Sequence, residues 1–272
     1  MKHSKSPLAI LGIRSLCLAV LGSLAIVAMS VNGPLSQKAY AATGWQKLSQ
    51  SELTVIWWQW TYSVPASQNP ALDDTGANAY NGQPYSDLLF LTGTLSSTEV
   101  SGDVLGHATR SINVKQDTAL FFPIINDEFD NVCNRPRLDC DPTVKPHPTN
   151  LGVPQLQAMA AEPIDSANGL FATLTPTDQN FNQAGAPIEV PFNRLPSPHP
   201  FPYKLPATDN LYQAGGIDIK GTVAPAVGDG YYSLIPLGTF QQGYYKLKFG
   251  GRIPITGGNF ILDITYDITV TS

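Results

Sequence analysis

The residues best suited to chemistry directly follow the most apolar run in the chain after residue 41. Residues 119–125 are all apolar, and Asn126, Asp127, Glu128 and Asp130 come next. Calcium binds hard oxygen ligands of this kind, in sets of about six to eight. The sequence therefore predicts a site here, with Asp127, Glu128 and Asp130 as candidate calcium ligands. A solvated acidic turn is the alternative, because the spacing of a dedicated calcium loop is absent.

Paired carboxylates also suit hydrolysis, for example of envelope glycans. Such catalysis needs two carboxyl groups with different pKa values, so that one gives a proton while the other stays ionised. Glu128 with Asp74 or with Asp127 is the pairing to test. Asp74 begins an Asp-Thr-Gly sequence like that of aspartic proteases, but only one copy is present, and an ordinary turn explains it better. No serine-esterase elbow, phosphate loop or dinucleotide fingerprint is present, so catalytic residues stay unassigned.

The N-terminus has the pattern of a secretory signal peptide. Basic residues precede an apolar run at 16–29, and Ala39-Tyr40-Ala41 supplies small residues before a cleavage point. A retained anchor is the alternative, but the run is shorter than the roughly 20 residues of a membrane span. We therefore predict a signal peptide at 1–41 and one secreted β-rich domain at 42–272, periplasmic or extracellular. No later stretch is apolar enough to cross a bilayer.

Charge and cysteine content fit this compartment. Residues 1–41 contain four basic residues and no acid, so their removal changes the formal net charge from −5 to −9. An acidic chain is a poor partner for nucleic acid or anionic membrane. Cys133 and Cys140 would remain, and an even number of cysteines in an oxidising compartment predicts a disulfide. That bond would close a short loop directly after the acidic residues.

A helix is the clearest element near the start of the domain. Ser49 and Glu52 have the spacing of a capping box, and apolar residues then recur at helical spacing as far as Pro65. Trp57 and Trp60 lie on the apolar face and are expected to pack on a sheet. Trp58 lies off that face, which makes it the better ligand candidate beside Asp74, Asn126 and Glu128.

The remaining pattern predicts mainly β structure. Residues 107–114 and 118–125 predict a hairpin, and residues 119–125, which are apolar on both faces, predict that its second strand is central. In residues 260–270, apolar side chains alternate with polar ones, as in a strand with one buried face. Short strands with glycine turns predict an antiparallel β-sandwich or jelly roll. We expect the tryptophan-bearing helix to pack on it, with a second short helix at 153–161.

Several motifs resemble a family of exported bacterial proteins. They are Trp57-Trp58-Gln59-Trp60, Asn69-Pro70, Asp74-Thr75-Gly76, Gly82-Gln83, Phe90-Leu91-x-Gly93, Phe121-Phe122-Pro123-x-x-Asn126-x-Glu128, Phe249-Gly250-Gly251 and Asp263-Ile264-Thr265-Tyr266. The resemblance implies no substrate and no catalytic residue. It places Asn126 and Glu128 in a recurring motif, which is equally compatible with a structural role.

The function expected from the sequence is that of a non-catalytic binding or structural protein of the cell envelope. Its ligand would be a small molecule, a glycan or an envelope protein, and calcium is the one cofactor considered. A secreted hydrolase that acts on envelope glycans through paired carboxylates is the alternative.

Overall fold

The structure is a computed structural model and describes residues 44–132 and 151–272. In this part of the chain the helices are α1 (Gln50–Ser63), α2 (Val153–Asp165) and α3 (Leu211–Ala214). The strands are β1 (Leu88–Phe90), β2 (Thr98–Val100), β3 (Asp103–Lys115), β4 (Ala119–Asp130), β5 (Asn168–Thr177), β6 (Ile188–Glu189), β7 (Asn193–Arg194), β8 (Phe201–Leu205), β9 (Gly221–Ile235), β10 (Gly243–Ile255) and β11 (Gly258–Thr271).

The strands form two sheets that share one core. The larger sheet has the order β2-β3-β11-β10-β5-β6, and the smaller has the order β1-β4-β9-β7 with β8 also paired to β9. Leu120 and Phe122 of the smaller sheet pack with Phe249 and Ile264 of the larger. The predicted mainly β, sandwich-like fold with a few helices is confirmed. Two strand pairs, β1 with β4 and β3 with β11, are parallel, so the sheets are mixed.

The predicted hairpin between residues 107–114 and 118–125 is wrong. The first segment lies in β3, which pairs with β2 and β11, whereas the second lies in β4, which pairs with β1 and β9. The short connection at 116–118 therefore passes from one sheet to the other. Both strands carry apolar residues that enter the shared core, and apolar pattern alone does not specify which partner a strand takes.

Strand β4 is central, as its apolar faces predict. Leu120, Phe122 and Ile124 enter the core between the sheets, while Phe121 on the other face joins the cluster under α1. The register against β9 shifts between residues 123 and 125, so Pro123 borders a β-bulge. Beyond this bulge the strand carries its polar residues.

The first helix forms as its sequence predicts. The side chain of Ser49 accepts from the backbone N–H of Glu52, and the Glu52 carboxylate accepts from the backbone N–H of Ser49. Trp57 and Trp60 are buried in a cluster with Phe121 of β4. The helix therefore covers the outer face of the smaller sheet, here named the α1 side. Helix α2 packs against β4 and β9 on their other face, here named the α2 side.

Candidate functional site

Strand alternation divides the polar residues of β4 between two environments. Successive side chains of a strand point to opposite faces. Asn126, Glu128 and Asp130 lie on the α1 side, where they meet residues of α1, β9, β8 and α3. Phe129 packs on the α2 side, and Asp127 shares its face. The backbone of β4 thus separates Asp127 from the other two carboxylates.

Three tyrosine hydroxyls donate to the carboxylates on the α1 side. Tyr62 of α1 donates to Glu128 Oε2 at 2.7 Å. Tyr212 of α3 donates to Asp130 Oδ2 at 3.0 Å, and Tyr203 of β8 donates to the same oxygen. The hydroxyls of Tyr203 and Tyr212 lie 2.9 Å apart. Elements that are distant in sequence therefore converge on two carboxylates that β4 holds two residues apart.

The aromatic rings around these carboxylates are stacked in series. The ring of Tyr62 lies parallel to that of Tyr203, with centroids 4.1 Å apart, and to that of Tyr212 at 5.8 Å. On its other flank, the Trp58 ring stacks on Tyr62 at 5.7 Å. The aromatic–carboxylate cluster is the name used below for Trp58, Tyr62, Glu128, Asp130, Tyr203 and Tyr212.

Burial raises the pKa values of titratable groups in this cluster. It raises the pKa of the Glu128 carboxyl well above its ordinary value, and the nearby charge of Asp130 acts in the same direction. The hydrogen bond from Tyr62 opposes this rise in the pKa of Glu128 only in part. Burial also raises the pKa of Tyr62, so its phenol remains a protonated donor. The protonated form of the Glu128 carboxyl is consequently favoured more than in an exposed glutamate.

Among the described residues of the cluster, Glu128 Oε1 is a polar atom buried without a hydrogen-bond partner. Trp58 Nε1 is buried as well, but its N–H interacts with the hydroxyl of Tyr232. A buried unpaired group lowers stability by roughly 1–3 kcal/mol relative to a satisfied one. Buried unpaired groups are rare in folded proteins, so Glu128 Oε1 is the atom of this cluster that calls for an explanation.

Asn126 lies beside the aromatic–carboxylate cluster and bonds to a residue outside it. Its Nδ2 donates to Tyr232 Oη at 3.1 Å. The ring of Tyr232 is fully buried, stacks on Phe121 at 5.5 Å and meets Trp57 edge-on. The amide of Asn126 therefore satisfies a core tyrosine, which supports a structural role for this part of the motif.

The α2 side of the same strands carries an ion-pair network. Arg194 of β7 contacts Asp229 of β9 at 2.8 Å and Asp165 of α2 at 2.5 Å. The hydrogen bonds that Arg194 donates to Asp229 are the main cause that raises the pKa of Arg194. On this side, burial raises the pKa of Asp127 to about 7. The network joins α2 to the sheet.

The three predicted calcium ligands do not converge. No group of three His, Cys, Asp or Glu side chains in the described segments is placed to hold a metal ion. The reason is local, since Asp127 points to the α2 side while Glu128 and Asp130 point to the α1 side. Asp127, Glu128 and Asp130 therefore do not form the predicted site among themselves.

Asp74 lies on an exposed turn of a different region. Its neighbour Asp73 accepts from the backbone N–H groups of Thr75 and Asn78, as in an ordinary Asx turn. The backbone N–H of Ser111 in β3 donates to the carbonyl of Thr75 at 2.9 Å, which anchors the turn on the larger sheet. Asp74 is thus no part of the aromatic–carboxylate cluster.

Sequence reasoning missed the three tyrosines that complete the site. Tyr62 follows the tryptophans of α1 and Tyr203 lies between prolines, but neither these positions nor that of Tyr212 carries a signal for a site. Their shared role arises because β8 and α3 pack beside α1, which is a tertiary arrangement.

Two grooves lie near the surface of the described chain. One, of about 480 Å³, runs between α1 and β8 and is lined by Ile56, Gln59, Trp60, Ser63, Gly82, Pro84, Pro202, Tyr203, Lys204 and Thr222. The other, of about 420 Å³, lies beside the start of β1 and the end of β3. The ring of Tyr203 contributes to the first groove and to the aromatic–carboxylate cluster.

Comparison of the chain with protein-family models, curated proteins and solved structures finds no match. Function has therefore to be argued from the site itself. The predicted signal peptide at 1–41 and the disulfide between Cys133 and Cys140 lie outside the described residues. Within the described segments, no helix has both the length and the apolar character of a membrane span.

Proposed function

We propose that this protein is an exported, non-catalytic binding protein whose ligand site is the aromatic–carboxylate cluster. The observation that carries the proposal is the unpaired, buried Glu128 Oε1. Its partner oxygen accepts from Tyr62, and the neighbouring Asp130 accepts from two further tyrosines. A ligand that bonds to Glu128 Oε1 would remove the cost of leaving this buried oxygen unpaired.

Binding fits the positions of the carboxylates better than hydrolysis does. Of the two pairings predicted for catalysis, Glu128 with Asp127 is divided by the backbone of β4. The other pairing fails because Asp74 sits on a turn anchored to β3. Neither groove is lined by Glu128 or Asp130. A polar ligand that bonds to Glu128 Oε1 would pair this oxygen without any reaction.

A glycan hydrolase remains the second candidate because of one observation. The pKa of Glu128 is raised by burial and by the charge of Asp130, as a general acid requires. Asp130 would then have to act as the ionised partner. Turnover of a glycan by the wild-type chain that is lost in Glu128→Gln would replace the binding proposal with this one.

The binding proposal is tested with a matched pair of variants. Glu128→Gln alters the group inside the cluster, whereas Asp127→Asn alters the adjacent carboxyl on the opposite face. We expect neutral sugars or peptidoglycan fragments to raise the melting midpoint of the wild type and of Asp127→Asn, and to raise it much less in Glu128→Gln. The isothermal heat of binding provides a second readout. Equal responses from all three chains would contradict the proposed site.

A further inference from the structure

A second groove lies apart from the aromatic–carboxylate cluster, where the chain passes from the larger sheet to the smaller. It is the groove of about 420 Å³ beside the start of β1 and the end of β3, here named the β1–β3 groove. Its volume lies within the range of pockets that hold small molecules, about 300–1,000 Å³. Of the described residues that line it, none belongs to the cluster, so this groove needs an explanation of its own.

The β1–β3 groove carries one positive charge and no negative one. Of the ten described residues that line it, Lys115 alone is charged. Two lysines of β10, by contrast, pair with aspartates of β11: Lys246 with Asp267 at 3.6 Å and Lys248 with Asp263 at 3.9 Å. Lys115 is exposed and forms no ion pair within the described segments. In an acidic chain, a groove of this kind favours a negatively charged ligand.

Hydroxyl groups accompany this charge. Five of the lining residues carry a hydroxyl: Tyr80, Tyr85, Ser86, Thr118 and Thr271. The hydroxyl of Tyr80 donates to the carbonyl of Asn113, which leaves the other four to donate to a ligand. Burial raises the pKa of Tyr85, so its hydroxyl stays protonated at neutral pH. An ammonium group beside hydroxyl donors is a set that suits a carboxylate.

Aromatic and aliphatic residues give the same groove an apolar part. Tyr80 is 53% exposed, and it is one of the few large hydrophobic side chains that the described structure leaves open to solvent. Tyr85 meets Phe90 edge-on, with ring centroids 6.3 Å apart. Leu88 and Leu89 of β1 also belong to the lining. A ligand that has a ring beside its charged group therefore matches this groove.

The side-chain amide of Gln83 fixes one wall of the groove. It donates to the carbonyls of Ala79 and Phe90 at 2.8 and 2.9 Å, and it accepts from the backbone N–H of Phe90 at 3.0 Å. Strand β1 lies at the edge of its sheet, so these bonds pair backbone groups that β4 does not reach. Gly82 has a φ of +64°, a conformation that favours glycine. The Gly82-Gln83 motif thus ties the turn before β1 to this strand, which fixes the shape of the groove before a ligand binds.

We propose that the β1–β3 groove binds a small organic anion, with its carboxylate at Lys115 and its ring against Tyr80 and Tyr85. Charge complementarity selects the anion, because a cation would meet Lys115 with no acid in the lining to compensate. A neutral ligand would leave the charge of Lys115 unused. This site is separate from the aromatic–carboxylate cluster, and the inference does not rest on the proposed function.

The test uses three ring compounds of similar size and different charge: 4-fluorobenzoate, 4-fluorobenzyl alcohol and 4-fluorobenzylamine. Their ¹⁹F signals are followed as the full chain is added. We expect saturable binding of the anion, about tenfold tighter than that of the alcohol, and no binding of the amine. In the ¹⁵N-labelled chain, the anion should shift the backbone amides of Ser86, Asn113 and Thr118. The amides of Gln59 and Lys204, which line the other groove, should stay in place.

Three variants separate charge from position. Lys115→Gln removes the charge of the groove, and we expect about tenfold weaker binding of 4-fluorobenzoate. Lys204→Gln makes the same change at the charged residue of the other groove and should bind as the wild type does. Ser86→Asp adds an acid at an exposed position of the β1–β3 groove. It should weaken binding of the anion and allow 4-fluorobenzylamine to bind.

The opposite results would overturn the inference. They are the absence of saturable binding of 4-fluorobenzoate, an equal affinity for the alcohol, or full retention of binding in Lys115→Gln. A loss in Lys204→Gln instead would place the anion in the other groove. Glu128→Gln should bind 4-fluorobenzoate as the wild type does. A loss in that variant would place the anion at the aromatic–carboxylate cluster, which overturns this inference and leaves the proposed function standing.

Discussion

At the scale of single residues, neighbours in sequence occupy different chemical environments. Glu128 is enclosed by aromatic rings and accepts from Tyr62, while Asp127 lies on the opposite face of the same strand. Both carboxyls have raised pKa values, with burial as the main cause in each case. Neither residue is therefore an ordinary surface acid, although the sequence alone is compatible with a solvated acidic turn.

The raised pKa of Asp127 predicts a pH dependence of stability. Its pKa is about 7 in the folded chain and near 3.8 in the unfolded chain. Between these values the folded state binds more protons, so the free energy of unfolding falls as pH rises from about 4 to 7. Asp127→Asn cannot ionise, although its side-chain oxygen can still accept from the backbone N–H of Glu128. We therefore expect a shallower decline in the variant and greater stability than the wild type above pH 7.

Urea unfolding at pH 5 and pH 8 measures this effect. Asp117→Asn, which changes an exposed acid in the turn before β4, is the control and should follow the wild type. If Asp127→Asn and the wild type lose stability in parallel between the two pH values, the raised pKa of Asp127 is refuted.

At the scale of elements, a buried arginine fixes the loops around the larger sheet. Arg110 of β3 is 1% exposed and donates to the carbonyls of Asp73, Thr92 and Gly93. It also donates to Tyr266 Oη at 2.9 Å, with its guanidinium 5.3 Å from the ring centroid of that residue. The 73–75 turn and the residues that follow β1 are thus held on β3 and β11.

Arg110→Met should destabilise the chain strongly. The variant fills similar space but leaves several buried oxygen atoms without donors, each of which is expected to cost about 1 kcal/mol or more. We expect a loss of about 3 kcal/mol in urea unfolding. Arg252→Met, at an exposed position of β10, is the control. A loss no larger than that of the control would show that the carbonyls are satisfied in some other way.

The glycine pair in the Phe249-Gly250-Gly251 motif has an explanation at the same scale. A Cβ on Gly250 would lie 1.9 Å from the carbonyl oxygen of Leu262, and one on Gly251 would lie 2.5 Å from a methyl group of Leu170. The register of β10 against β5 shifts at this point. Close approach of neighbouring strands therefore requires both glycines, which gives this motif a structural role.

At the scale of the whole molecule, export and the disulfide remain proposals that one measurement tests. The intact mass of the chain recovered outside the cytoplasm should match residues 42–272. It should also be lighter by two hydrogens, which reduction restores, because Cys133 and Cys140 are expected to be bonded. A mass that includes residues 1–41 would contradict cleavage, and an unchanged mass on reduction would contradict the disulfide.

The local features of this protein follow from short stretches of its sequence. The capping box and the helical spacing predict α1. The two apolar faces of β4 predict a central strand, and the alternation of apolar and polar residues predicts β11. Each of these patterns depends only on residues a few positions apart. The sequence also predicts Glu128 and Trp58 as candidate site residues. Tertiary structure alone decided that β3 and β4 enter different sheets.

Tertiary structure also decided the composition of the site. Because side chains alternate along a strand, Asp127 and Glu128 face opposite sides. The packing of β8 and α3 beside α1 places Tyr203 and Tyr212 next to Asp130, although they lie up to 82 residues from it in sequence. The need for glycine at position 228 is apparent only from the Trp58 indole that lies against it. Such contacts depend on which elements become neighbours, and apolar periodicity does not encode that choice.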